Sequence, residues 1–272
     1  MQKANFRNFF SRKRRYIAYF FLVTILVTIQ FALKAEEINL RSVNVGARSA
    51  YTLLEIDYPL DPLFMMTVCF LLCISLSLLY CDAFLQEEKS TSNVTKIQKY
   101  GVRRYVWNHY LTAFLLGATF VFLFHLMHTL FTFIHFPALP LVEENIGNYI
   151  SMFDKDFYRP LFFENFFLYL LIKYIKAALF GGLYAMFSVA ICNTTKNLYL
   201  GVGLPYIFAL LAYISIMLIR FAVHNNFFFF LFAYPQRINL ISLISWMPMV
   251  LMVLYDIQRQ IRKGDRFAKS SI

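Results

Sequence analysis

Charge is scarce in this chain. Only 15% of its 272 residues are Asp, Glu, Lys or Arg, whereas 60% are hydrophobic and 19% aromatic. A soluble domain of that length needs far more charge to cover its surface, so the composition points to a protein that crosses a membrane several times. Cysteine is scarce as well: four thiols, Cys69, Cys73, Cys81 and Cys192, lie in apolar runs or at their ends. None stands in a CxxC or Cys/His ligand spacing, which argues against a disulfide framework or a zinc site and leaves buried apolar thiols. The phosphate-cradling pattern GxxxxGK(S/T) is missing, so by that route the chain has no ATPase of its own. The first apolar run lacks a small-residue cleavage site and is followed by Lys34, Glu36 and Glu37, which reads as a retained anchor.

Long apolar runs are what the chain has in abundance. Six transmembrane helices are expected, at about 16–33, 62–86, 110–134, 171–192, 198–221 and 240–256, making an all-α membrane protein. The apolar stretch from Leu161 to Cys192 is too long for one untilted crossing. Lys173 and Lys176 are therefore expected to snorkel outward, with the Phe-rich 162–170 as an interfacial helix leading in. Residues 224–239 are too short and interrupted to span, and read as a shallow re-entrant or interfacial piece. Pro205 lies early in the fifth span and Pro248 marks an expected kink in the sixth. Gly181 and Gly182, beside Ala177, Ala178 and Ala185, form a small-residue strip suited to close helix packing.

The formal charge is +11, from 26 Lys and Arg against 15 Asp and Glu. The cations gather at both termini, in the loop 87–109 and at Lys196, while the loops 36–61 and 143–156 hold most of the acids. That asymmetry sets both termini and the 87–109 loop on the cytoplasmic side. No basic patch is interleaved with a foldable soluble domain, so nucleic acid is not an expected partner. In residues 1–15, Phe6, Phe9 and Phe10 recur at i, i+3 and i+4 among six cations, predicting a basic amphipathic helix in the headgroup plane. Residues 259–272 read as a basic cytoplasmic tail. The expected location is the plasma membrane of a bacterium, crossed many times, with the lipid bilayer itself as a partner.

Little in the sequence carries covalent chemistry. Glu87–Glu88 and Glu143–Glu144 invite comparison with the EExxxR start of intramembrane CAAX-type proteases. Ser92 and Asn148 stand where the arginine is needed, and both pairs lie outside the apolar runs, so no enzyme activity is expected. His125 and His128 share one face of the third span, with His135 at its outer edge. An intramembrane histidine marks function by default. Lining a translocation path and hydrogen bonding between helices both fit the pair. Metal or haem ligation would need further ligands that no other span convincingly offers, and no metal site is expected.

The stretch 87–109 is the one long polar segment between apolar runs that still carries helical patterning. Val94 and Ile97 recur beside Lys96, Lys99, Arg103 and Arg104, with Tyr100, Tyr105 and Trp107 following. The aromatics suit anchoring at an interface while Lys96, Arg103 and Arg104 meet a partner's acids, and Gly101 ends the pattern where a hinge would sit. Together with Phe84–Glu88 closing span two, Lys99–Arg104 before span three, Asn193–Asn197 and Pro205, this architecture resembles the permease subunits of type-2 ATP-binding-cassette exporters. The resemblance implies half of a translocator, paired with a second permease chain, either identical or related. It also implies separate nucleotide-binding ATPase subunits, which hold the ATP and magnesium and dock on Glu87, Glu88, Lys96, Tyr100, Gly101, Arg103 and Arg104. The chain itself would bind no cofactor, and the cargo expected is an amphiphilic peptide or lipid. The rival reading is a sensor or immunity protein without an ATPase, capturing a cationic peptide on its acidic outer loops.

Overall fold

The computed structural model describes residues 18, 21–23, 25, 50, 72–78, 80–82, 84–85, 92–136, 138, 159–220 and 240–270. Among these there is no strand, and all regular structure is helical. The helices are α1 (Ser92–Tyr100), α2 (Val102–His135), α3 (Arg159–Glu164), α4 (Phe166–Thr195), α5 (Leu198–Arg220) and α6 (Leu240–Ser270). The described residues between 72 and 85 are helical as well and pack against the same core. The N-terminal stretch 1–15, the acidic pairs at 87–88 and 143–144, the loop 36–61 (Ala50 aside) and the 224–239 piece lie outside the described residues.

Two helices, Val102–Ile134 and Phe166–Thr195, are long and apolar enough to cross a membrane. At about 1.5 Å per residue, the 34 residues of α2 reach about 50 Å, well beyond a hydrocarbon core of about 30 Å. Its outward face carries Leu111, Leu115, Leu123, Leu126, Leu130 and Ile134, an apolar stripe that water would not tolerate and lipid would.

The core forms around α4, against which α2, α5 and α6 all pack. Contacts between α2 and α4 run in opposite sequence directions, from Phe114 against Gly182 to Phe133 against Phe167. Those between α4 and α6 run the same way, from Phe180–Trp246 to Asn193–Asp256. The 72–85 segment follows α4, through Ser77–Ser188 and Cys81–Cys192, while α5 turns back along it through Phe187–Phe208. Successive long helices among the described residues thus alternate in direction. Consequently α1, the start of α2, the end of α4, the start of α5 and the end of α6 gather at one end of the bundle.

The small-residue strip does what its spacing predicts. A Cβ on Gly117 would lie 2.6 Å from the Gly181 carbonyl oxygen, and one on Gly182 would lie 2.6 Å from the Phe114 ring. Here α2 and α4 approach backbone to backbone, with dispersion replacing side-chain interdigitation.

Several boundaries differ from those expected. Chain entry into α4 breaks at Asn165, whose side chain caps the helix by accepting from the Leu168 amide at 3.2 Å. Phe166–Leu170 are therefore the first turns of α4 and not a separate interfacial helix. Phe162, Phe166, Tyr169, Leu170 and Tyr174 form their own aromatic cluster with Phe122 and Phe133 of α2. Lys173 does not snorkel outward: it is 3% exposed, and the Lys176 ammonium is also covered, because their face of α4 turns into protein. The helix that carries the expected third span already begins at Val102, ahead of 110, and α6 runs through Pro248 and the basic stretch to Ser270. The turn between α4 and α5 shrinks to Lys196 and Asn197. Lys196 takes a left-handed φ of 56°, and Asn197 Oδ1 accepts from the Tyr199 amide at 2.9 Å.

Candidate functional site

The first element of the site is an elbow between two helices. α1 closes when the Gly101 amide donates to the Ile97 carbonyl at 2.8 Å, and Gly101 then swings to φ 77°, ψ 149°. That backbone region is open in practice only to glycine. α2 starts at the next residue, so the elbow feeds directly into a helix long enough to span. Ile97 and Val102 pack on the main core and hold α1 against the bundle. Lys99, Arg103 and Arg104 face outward, while Lys96 and Tyr100 are half-buried. Arg103 and Arg104 occupy the first turn of α2, whose dipole disfavours cations. They do not serve that helix's own stability. Five of the seven residues expected at the coupling site are thus brought together, and Glu87 and Glu88 lie outside the described residues.

Beneath the elbow, α2 turns polar groups inward. The His109 Nδ1 and the Tyr80 hydroxyl are 2.6 Å apart and join the 72–85 segment to α2. Phe84 and Tyr105 pack edge-on against the His109 ring, at 5.4 and 4.4 Å between centroids. Tyr105 is therefore a core residue and not an interfacial anchor, because its position on α2 faces the bundle. Trp107, two residues on, does face outward.

The second element was not foreseen. Asp256, on α6, is completely buried. Its Oδ2 accepts from the Tyr110 hydroxyl at 2.5 Å, Asn193 Nδ2 at 2.6 Å and Gln260 Nε2 at 2.7 Å, and its Oδ1 from Thr194 Oγ1 at 3.3 Å. The Lys196 ammonium donates in turn to Asn193 Oδ1 at 2.8 Å. One carboxylate thereby ties α2, α4 and α6 together. Four neutral donors supply what water would have given a buried charge. The sequence carried a signal for it, a single acid flanked by apolar Tyr255 and Ile257 at the end of an apolar run. The partners, Tyr110 and Asn193, are far away in the chain.

The histidine pair lies nearer the middle of the α2–α4 seam. His125 and His128 are both buried. The His125 ring stacks on Tyr174 at 5.1 Å and 14° between planes, and Tyr174 shares a hydrogen bond with Thr129. Thr129 and Thr132 donate back to the carbonyls of His125 and His128. Among the described residues, no group of three or more His, Cys, Asp and Glu is placed to hold a metal ion. Cys73, Cys81 and Cys192 are buried thiols outside any disulfide, as expected of them, while Cys69 and the side chain of His135 lie outside the described residues. Comparison with protein-family models, with curated proteins and with solved structures finds no match for this chain.

Proposed function

We propose that the chain is the membrane-spanning permease subunit of an ATP-driven exporter, coupled through the α1–Gly101–α2 elbow to separate ATPase subunits. The observation that carries this reading is the elbow itself. A nine-residue helix with Lys99 outward is joined, through one glycine-only backbone position, to a 34-residue helix that opens with the exposed Arg103 and Arg104. A push on α1 has one route, along α2, since Gly101 absorbs rotation and Val102–His135 does not bend at a break. Tyr110, two turns into α2, then passes displacement to Asp256 and through it to α4 and α6.

The six-span arrangement with cytoplasmic termini belongs to the same proposal. Its support is the alternating direction of the long helices and the gathering of Lys96, Lys99, Arg103, Arg104, Lys196, Arg259, Arg262 and Lys263 at one end. Two such chains, identical or related, would enclose the path for an amphiphilic peptide or lipid. ATP and magnesium would be held by the partner subunits. Arg103 and Arg104, disfavoured by the helix dipole, would regain stability from a partner's carboxylates, which makes them the residues to reverse.

In the double variant Arg103→Glu, Arg104→Glu, an ATPase subunit that co-purifies with the wild type should be lost, while the chain still inserts. Insertion is read by alkali-resistant membrane association. Retention of the subunit by the variant at wild-type level would refute the coupling role.

A further inference from the structure

Of the helices that meet at the elbow end of the bundle, α2, α5 and α6 carry outward stripes that change character in the same order. On α2 the stripe runs Arg104, Trp107, Leu111, Leu115, at spacings of three and four that keep one face. At the α4–α5 turn it runs Lys196, Tyr199, Leu200, Leu204, Ile207 and Leu211. On α6, read toward the N-terminus, it runs Arg262, Gln258, Tyr255, Leu251 and Met247. Each stripe passes from a cation, through an exposed aromatic with a polar tip, to aliphatic side chains. Tyr199 is 86% exposed, Tyr255 60% and Trp107 45%, far more than rings of that size accept in a packed bundle.

The Asp256 cluster brings the three stripes to one level. Tyr110, Asn193 and Asp256 are within hydrogen-bonding distance of one another through one carboxylate. From that level, Arg104 and Arg262 each lie six residues toward the end, about 9 Å, and Lys196 three residues, about 5 Å, at the helical rise. A ring of cations therefore sits just beyond a ring of aromatics, and both face sideways, along the same faces as the aliphatic stripes. A partner docking on the end of the bundle would meet α1 and the arginines at the start of α2, and would not meet the α5 and α6 faces. The layer lying sideways of them, beside hydrocarbon, is the phospholipid headgroup layer.

We infer that Lys196 and Arg262, with Tyr199 and Tyr255, form a belt that binds anionic phospholipid headgroups. The ammonium and guanidinium groups take the phosphates, and the tyrosine rings sit at the glycerol level with their hydroxyls toward water. Lys196 also donates to Asn193 Oδ1, so a phosphate bound there would touch the chain of hydrogen bonds that reaches Asp256. The inference rests on the membrane-spanning reading and is independent of the ATPase coupling.

The full chain, purified in mild detergent, would be reconstituted into phosphatidylcholine vesicles and into vesicles mixing phosphatidylcholine with phosphatidylglycerol. Lipid retained after re-extraction is counted by native mass spectrometry. Wild type should retain phosphatidylglycerol selectively. Lys196→Gln, Arg262→Gln should retain about tenfold less of it, at unchanged phosphatidylcholine, since each surface cation near an anionic membrane contributes several-fold. The charge-preserving Lys196→Arg, Arg262→Lys should retain it like wild type, which separates loss of charge from loss of fold. Equal retention of the two lipids by wild type, or unchanged selectivity in the glutamine variant, would overturn the belt. Unchanged selectivity with loss of a co-purifying protein would assign these cations to an acidic protein instead. Failure of the wild type to enter either vesicle would overturn the membrane reading itself.

Discussion

Asp256 is where single-residue changes should speak most clearly. Its carboxylate satisfies Tyr110, Asn193, Thr194 and Gln260 at once. Asp256→Ala strands those donors without water, at about 1–3 kcal/mol for each buried group left unmade. Asp256→Asn can keep its oxygen toward the Tyr110, Asn193 and Gln260 donors and turn its new amide toward the Thr194 hydroxyl, which can accept, so it should be milder. Tyr110→Phe removes only the 2.5 Å donor to a charged acceptor, about 1.5–3 kcal/mol. Thermal unfolding in detergent should rank Asp256→Ala below both Asp256→Asn and Tyr110→Phe. That this residue matters could not be read from the chain in order, because Tyr110 is 146 positions from it and Asn193 is 63. Lys173 shows the opposite failure. The snorkelling argument treats lipid as the only neighbour of a charged side chain, whereas here protein covers it.

Among the elements, α1 and its elbow were legible. The glycine stands where helical patterning stops, and the structure ends α1 at Tyr100 and turns at Gly101. Because ψ is 149°, the position differs from an ordinary left-handed helix cap, where asparagine often replaces glycine. Gly101→Ala and Gly101→Asn should therefore both cost about 1–3 kcal/mol, and a near-neutral Gly101→Asn would show the elbow relaxed to a left-handed cap. The α4 side of the α2–α4 seam was legible from Gly181 and Gly182, its partner Gly117 on α2 was not, and the seam permits a paired test. Gly117→Ala forces a methyl against the Gly181 backbone and the Ala185 side chain, and should destabilise by about 1–3 kcal/mol. Gly203→Ala, in α5, meets nothing within 4 Å and should be neutral or gain up to about 1 kcal/mol of helix propensity. What the sequence misplaced was where helices start. Hydropathy registers where apolar residues begin, while a cap such as Asn165, or a helix that runs on through charged Arg103 and Arg262, is set by backbone hydrogen bonds that hydropathy ignores.

At the scale of the whole molecule, the described residues gather their polar groups toward one end of the bundle. Elbow, buried carboxylate, short α4–α5 turn and basic extension of α6 all meet at one end, and the aromatic cluster around Phe162 and Tyr174 occupies the region toward the other. In the proposed mechanism force enters at the first end and the histidine pair, deeper along the same seam, responds to it through α2. The direct test of the central claim is affinity purification of this chain from its native membrane in mild detergent, with the co-purifying proteins identified by mass spectrometry. The account predicts a stoichiometric ATP-binding subunit that disappears when residues 96–104 are scrambled. Recovery of the chain without any ATP-binding protein, whether that segment is intact or scrambled, would contradict it.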